Sequence, residues 1–306
     1  MKISIVTVTY NRKDMLGKAI QNVLAQNDPD FEHIIIDGGS DDGTKELLAQ
    51  YSHLKVLSEP DKGVYDAMNK GIAMTTGDVV ILLNSDDLLH ENALQNIRNY
   101  FNKYPDHDYF CGGASVLHPK EGYEQIFDHA FYTRLSENCV TRGQMAFNAI
   151  ICCKHVYDKI GKFSISHKIA SDRDFVLRLI YRPDLKGGQG GNLLYQYLSH
   201  EDSLTFAENH IHKGVFYELL DIAGSGMTEY KTSNTALYKA YRRWHSWAVL
   251  RYFLAKDHQH NPSSILPEAV KATKRDVLWP ARALLQVVDH FTLRANNKKF
   301  IRTQPL

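Results

Sequence analysis

The chain has 306 residues, 43% of them hydrophobic, which is enough for one large domain or a domain with an appendage. Its four cysteines, Cys111, Cys139, Cys152 and Cys153, form no C-x-x-C pair, and two are adjacent. That argues against a zinc site or a secreted disulfide framework and for a reduced, cytoplasmic setting. The net charge of +1 hides a split, since from Lys231 onward 14 Lys and Arg face 4 Asp and Glu, while residues 1–230 hold 22 and 31. A basic tail region on an acidic body suits an anionic surface, with nucleic acid the poorest fit because the body would repel phosphates. Met1-Lys2-Ile3-Ser4 runs straight into a strand-like segment with no signal-peptide core, and no stretch approaches the roughly 20 apolar residues of a membrane span.

In chain order, Lys2–Thr9 reads as a strand, Asp14–Gln26 as a helix, Phe31–Asp37 as a strand ending in a carboxylate, and Thr44–Tyr51 as a short helix. Leu54–Ser58 is a third strand, and Lys62-Gly63 opens a helix through Met74. Val79–Leu83 is an unbroken apolar run suited to a strand buried on both faces. This alternation predicts βαβ units around a parallel sheet, an α/β fold flanked by helices. Beyond a helix over Glu91–Tyr104, the pattern predicts strands at Tyr109–Leu117, Tyr123–Phe127, Ala146–Cys152 and Leu193–Leu198. Helices are predicted at Lys154–Ile160 and Ile169–Tyr181, with Gly187–Gly191 as a flexible loop. From about Phe206 the pattern is helical to the end.

In an open α/β sheet, ligands collect beyond the carboxyl ends of the strands. Thr9-Tyr10-Asn11, Asp37 and Asn84-Ser85-Asp86-Asp87 all fall there, and the segment Gly63–Gly71 feeds the central strand. Such an edge offers a ring for stacking, a carboxylate for a base or ribose, and paired acids whose repulsion a hard cation, Mg²⁺ or Mn²⁺, would relieve. The competing reading of Asp86 or Asp87 is a helix cap. Neither G-x-G-x-x-G nor G-x-x-x-x-G-K-[ST] is present.

Four motifs, T-V-T-Y-N-R (7–12), I-I-I-D-G-G-S-D-D-G-T (34–44), S-E-P-D-K-G-V-Y-D-A-M-N-K-G (58–71) and L-N-S-D-D (83–87), resemble the family 2 inverting glycosyltransferases with the GT-A fold. The branch they are most similar to builds bacterial surface polysaccharide, lipopolysaccharide or capsule. The resemblance covers about residues 1–205, with 1–105 as the nucleotide-sugar half and 106–205 as the acceptor half. Residues 206–306 remain as a basic helical extension. It implies a nucleotide-diphosphate sugar donor, a UDP-sugar favoured, and a glycan or lipid-linked acceptor. It also implies that Thr9, Tyr10 and Asn11 line the base and ribose pocket and that Asp37 accepts from the base. Asp66 and Asn69 would sit beside the diphosphate or its sugar. Ser85-Asp86-Asp87 stands at the D-x-D position, with Ser85 replacing the first acid, Asp86 on ribose or sugar, and Asp87 on the metal. His200 is a second candidate ligand, weighed against a surface histidine. Asp172 matches the catalytic base, against the alternatives that it caps its helix and that Asp174 pairs with Arg178 at i, i+4. Gln144 is a candidate acceptor contact, although the His that often precedes it in the family is Gly143 here.

The tail segment Ala236–Lys256 mixes aromatic and basic residues, as does an interfacial helix, and Val277–Leu293 is apolar but interrupted. A contact with the inner-membrane surface and a homodimer are the two readings. The competing functions are a nucleotidyltransferase that makes the activated sugar, which lacks its glycine-rich loop after the first strand, and a non-catalytic binding subunit.

Overall fold

The computed structural model describes residues 1–127, 135–143, 145–201, 213–254, 270–285, 287 and 301–305. The chain divides into two compact units, Met1–Glu208 with Phe300–Leu306, and Asn209–Lys299.

The first unit is built on a mixed sheet. Its N-terminal half holds β1 (Ile3–Thr9), β2 (Phe31–Asp37), β3 (Leu54–Ser58) and β4 (Val79–Asn84). These run parallel in the order β4-β1-β2-β3. Every residue of β1 is buried, as are five of the six in β4, because helices cover both faces. Register fixes where the polar ends fall, with Thr9 beside Asp37, Asp37 beside Ser58, and Val8 beside Asn84. Thr9, Asp37 and Asn84 therefore share one edge.

The other half is mostly antiparallel. After the two-residue β5 (Leu88–Leu89) come β6 (Tyr109–His118), β7 (Tyr123–Phe127), β8 (Ile150–Cys153) and β9 (Gly187–Leu198). Strand β8 joins β4 to β6, while β9 lies parallel to β6 and antiparallel to β5. The core between the sheet and the helix Ala93–Lys103 is a single apolar cluster containing Ile3, Ile81, Leu94, Ile97, Phe110 and Tyr195.

Three expectations are corrected. Gly187–Gly191 is not a loop but the start of β9. Its glycines answer to crowding, since a Cβ on Gly187 would overlap the Tyr109 ring and one on Gly188 the Tyr100 hydroxyl. The strand expected over Ala146–Cys152 begins only at Ile150, after a 3₁₀ turn at Phe147–Ala149. The C-terminal region is not helical to its end, because Ile301–Pro305 forms β10, antiparallel to β7. A short helix, Glu137–Arg142, capped by the Ser136 side chain accepting from the Cys139 N–H, was not expected.

The second unit contains the helices Lys213–Glu229 and Thr235–Leu254 and helical turns over 270–275 and 279–285. No helix among the described residues is long and apolar enough to cross a membrane.

Two buried side chains of β2, Glu32 and His33, predict a pH response. Glu32 is buried, which opposes its ionisation, yet hydrogen bonds from Lys55, Ser4 and Thr76 outweigh that and hold it well below the ordinary carboxylate range. His33 bonds the Thr7 hydroxyl at 2.8 Å, and burial, followed by repulsion from His53, pushes it down to about 3. An unfolded histidine titrates near 6.5, so the native state is favoured fully above that pH and loses ground as protons bind the unfolded chain. Between pH 7.5 and pH 5 His33 alone should remove about 2 kcal/mol. Glu32 adds a further loss as pH falls below the unfolded carboxylate range. Urea unfolding across pH 4.5–8 should show this slope in the first unit, flattened between pH 5 and 7 in His33→Leu.

Candidate active site at the carboxyl edge

Strand β2 ends in Asp37, which is fully buried and accepts from the Ser40 N–H (3.1 Å), the Ser40 hydroxyl (2.5 Å) and the Ser58 hydroxyl (2.6 Å). Asn11, at φ +50°, donates its N–H to Ser40 Oγ and accepts from the Asp41 N–H through its side chain. These bonds pin the 38–41 loop against β1 before any ligand arrives. Tyr10 is 61% exposed beside Gly38, where its ring offers a face for stacking. Thr9 is buried, and its hydroxyl has no partner among the described residues.

At the end of β4 the two acids part company. Asp86 keeps a fifth of its side chain exposed and faces the Arg12 guanidinium at 3.4 Å and His200 Nε2 at 3.1 Å. Asp87 turns into the protein, where it accepts from the Tyr195 hydroxyl (2.7 Å), the Asn84 side-chain amide (3.0 Å) and the Leu198 N–H (3.0 Å). Burial, then the charge of Asp86, pushes the Asp87 carboxyl up to about 7. Both acids lie in the turn between β4 and β5, and the three donors around Asp87 hold it inward while Asp86 stays at the surface. Asp87 ties β4 to β9, and His200 meets Asp86 rather than Asp87. Ser85 is buried and gives its N–H to the Val8 carbonyl.

Helix Val64–Met74 starts at this edge. Asp66 lies in its first turn, accepting from the Lys62 N–H and standing 3.7 Å from Lys70. Asn69, expected beside the donor, is committed elsewhere. Its amide donates to the Phe163 carbonyl and accepts from the Phe163 N–H, both at 2.9 Å. One turn earlier, the buried Tyr65 hydroxyl lies 2.8 Å from the Ile169 carbonyl and 3.2 Å from Asp172 Oδ1. Residues four apart share a helix face, so Tyr65 and Asn69 together staple this helix to the segment that carries Asp172.

Asp172 opens the helix Ser171–Ile180 and also accepts from the Arg173 N–H at 2.8 Å. Burial raises its carboxyl above the ordinary range, with Arg173 opposing. Asp174 is instead tied to Arg178, at 2.9 Å. Tyr197 lies two residues along β9 from Tyr195. Its hydroxyl accepts from the Asn148 N–H (3.2 Å), and after burial itself the charges of Asp87 and then Asp172 raise its affinity for the proton. The 3.2 Å contact with Tyr65 ties Asp172 to the first turn of the helix Val64–Met74. Gln144 lies outside the described residues.

Sequence reasoning missed Arg12, Tyr65, Asn148, Tyr195 and Tyr197. The last two carried a readable signal, because the period-2 spacing in L-L-Y-Q-Y-L puts both rings on one face of β9, just before His200.

Removing the Asn69 staple should leave the Phe163 backbone groups unpaired and cost about 1–3 kcal/mol. Asn69→Ala should lower kcat through a loosened Asp172 while the donor KM changes little. Steady-state kinetics with urea unfolding will separate the two effects.

Residues 4–170 match the family model described as Glycosyl transferase family 2. Over 188 residues the chain is 25% identical to a PGL/p-HBAD biosynthesis glycosyltransferase of Mycobacterium bovis (strain BCG / Pasteur 1173P2), covering 60% of this chain and 71% of that one. Residues 1–349 of S. aureus TarS, in complex with UDP-GlcNAc, superpose with a TM-score of 0.64 at 15% identity, over 83% of this chain and 73% of that 1–349 chain. Mannosyltransferase PcManGT from Pyrobaculum calidifontis, in complex with GDP-Man and Mn²⁺, superposes with a TM-score of 0.50 at 14% identity, over 97% of this chain and 86% of that one. At such identities the structural likeness speaks for the fold alone.

Proposed function

The chain belongs to glycosyl transferase family 2, has the GT-A fold and is a glycosyltransferase, and from that premise we propose that it moves a sugar, with inversion, from a nucleotide-diphosphate donor to a glycan or lipid-linked acceptor. A UDP-sugar is the favoured donor and bacterial surface polysaccharide the favoured product. The observation that supports the reading is the pair of acids, Asp172 held by Tyr65 in the first turn of the helix Val64–Met74 and Asp86 facing Arg12 and His200 past the end of β4.

Each residue then has a task. Asp37 accepts from the base, and the Tyr10 ring stacks on it. Thr9, Asn11 and Ser85 shape the pocket floor, and Asp66 faces the donor from its helix turn. Asp172 takes the proton from the acceptor hydroxyl as that oxygen attacks the anomeric carbon and the nucleoside diphosphate leaves from the opposite face. Arg12 meets charge developing on the departing phosphate. Tyr65 and Asn69 hold the base in place.

A divalent metal fits the chemistry of this edge. Among the described residues no three His, Cys, Asp or Glu side chains form a ready cage. The Asp86 carboxylate and the His200 imidazole nitrogen nevertheless stand 3.1 Å apart, and Mg²⁺ or Mn²⁺ commonly takes one or two protein ligands and completes its shell with phosphate and water. The metal ligands proposed are therefore Asp86 and His200, with Asp87 as the buried anchor behind them. When bound, the ion would neutralise the leaving diphosphate. The mannosyltransferase neighbour that holds GDP-Man and Mn²⁺ supports this.

The cytoplasmic face of the inner membrane is the proposed location. In the helical unit Val277, Leu278, Leu284 and Leu285 are each more than half exposed beside basic residues, which supports contact with lipid, with self-association as the competing reading.

The experiment is transfer from UDP-GlcNAc, UDP-glucose and GDP-mannose with Mn²⁺, Mg²⁺ or EDTA, and NMR of the product's anomeric proton. Inverted product that vanishes with EDTA is the expected result. Retention, or pyrophosphate released from a nucleoside triphosphate, would overturn it.

A further inference from the structure

The helical unit holds a cavity of about 360 Å³ between its two long helices and the 270–275 turn. That size lies within the usual range for small-molecule sites. Leu220, Val249 and the Tyr252 ring give it an apolar wall, and Tyr217 stands half exposed among its lining residues.

The polar groups are out of balance. His245 is 2% exposed, lines the cavity, and its Nδ1 has no partner among the described residues. Arg275 also lines the cavity and, among the described residues, makes no hydrogen bond or ion pair. Its guanidinium lies against Gly224, where a Cβ would overlap it. The nearest acid in sequence, Asp276, is already bound by Arg242 at 3.0 Å and by Arg282. Lys271 and Asp221, also on the wall, each have a partner. An unpaired fork donor beside a buried, unpartnered imidazole calls for an anion.

We propose that this cavity binds a phosphate monoester carrying an apolar substituent, the phosphate on Arg275 and His245 and the substituent along Leu220 and Val249. A phosphate monoester fits better than a carboxylate. Near neutral pH it offers both acceptor oxygens and an O–H, so it can satisfy His245 Nδ1 whether that atom carries a proton or not. Inorganic phosphate would leave the apolar wall unused. The site stands on the helical unit's own geometry and does not depend on the transferase reading.

The test is calorimetric titration of the full chain with octyl phosphate, 1-octanol and inorganic phosphate, each with and without saturating UDP. Octyl phosphate should bind once per chain, at least tenfold tighter than either of the others and undisturbed by UDP. Arg275→Ala should weaken it at least tenfold, and Arg275→Lys less. Ala272→Met, which narrows the cavity from its wall, should block it. Circular dichroism and melting temperature establish that each variant is folded. Equal binding of octanol or of inorganic phosphate, displacement by UDP, or undiminished affinity in Arg275→Ala or Ala272→Met would overturn the proposal.

Discussion

Asp172→Asn should reduce kcat by about 10²–10⁴ while leaving donor affinity and fold intact. The amide keeps an oxygen to accept from the Arg173 N–H and the Tyr65 hydroxyl, so the local geometry survives. It cannot take a proton from the acceptor. The melting temperature should hold or rise, because burial already disfavours the charged carboxyl. The wild-type pH profile provides a second readout. A general base works when deprotonated, and this one has its affinity for the proton raised, so the acid limb of kcat/KM should lie above the range of an ordinary aspartate. In Asp172→Asn that limb should disappear. A variant with wild-type rate would move the base elsewhere, and Asp174 would be a poor substitute while Arg178 holds it.

The neighbouring acids of β4 should separate in the opposite sense from their similarity in sequence. Asp86→Ala should fold normally, since its carboxylate is partly exposed and its partners reach solvent, but kcat/KM should fall about 10²–10³ with the loss of charge stabilisation on the leaving group. Mn²⁺ binding in the presence of UDP, followed by electron paramagnetic resonance, should be lost with it. Asp87→Ala should instead be a stability defect of about 2–4 kcal/mol, because it strands three buried donors, the Tyr195 hydroxyl, the Asn84 amide and the Leu198 N–H. Denaturant unfolding of both variants decides between the assignments. A stable Asp87→Ala protein that fails to bind Mn²⁺ would return the metal to Asp87.

The pair also shows where sequence stops being informative. Strands β1 to β4 were legible because apolar runs, turn residues and terminal carboxylates punctuate them locally, and the parallel alternation then put Asp37 and the β4 acids on one edge. Which of two adjacent aspartates turns into the protein is not local information. It depends on β9, which arrives 108 residues later and presents Tyr195 to one of them. The bonds of Asn69 to Phe163 were hidden for a related reason. Asn69 follows Asp66 by three positions, which suggests a shared task, but it also follows Tyr65 by four, and that is the partnership the structure uses. The helix that begins at Ser171 was legible from its local pattern, whereas the hold of Asp172 on Tyr65 was not. Strand β10 was invisible because Ile301–Pro305 has no apolar alternation and its partner, β7, lies some 175 positions earlier.

That last strand has a practical bearing. Because 301–305 returns to pair with β7, the helical unit is an insertion, leashed at both its ends to one sheet. Cutting the polypeptide after residue 208 would therefore do more than discard the insertion. It would bare the Tyr123–Phe127 margin of the sheet, a row of open amide and carbonyl groups ready to recruit a foreign strand. An isolated first unit is better made by replacing the insertion with a flexible linker that keeps 301–305 attached, so that β7 keeps its cover.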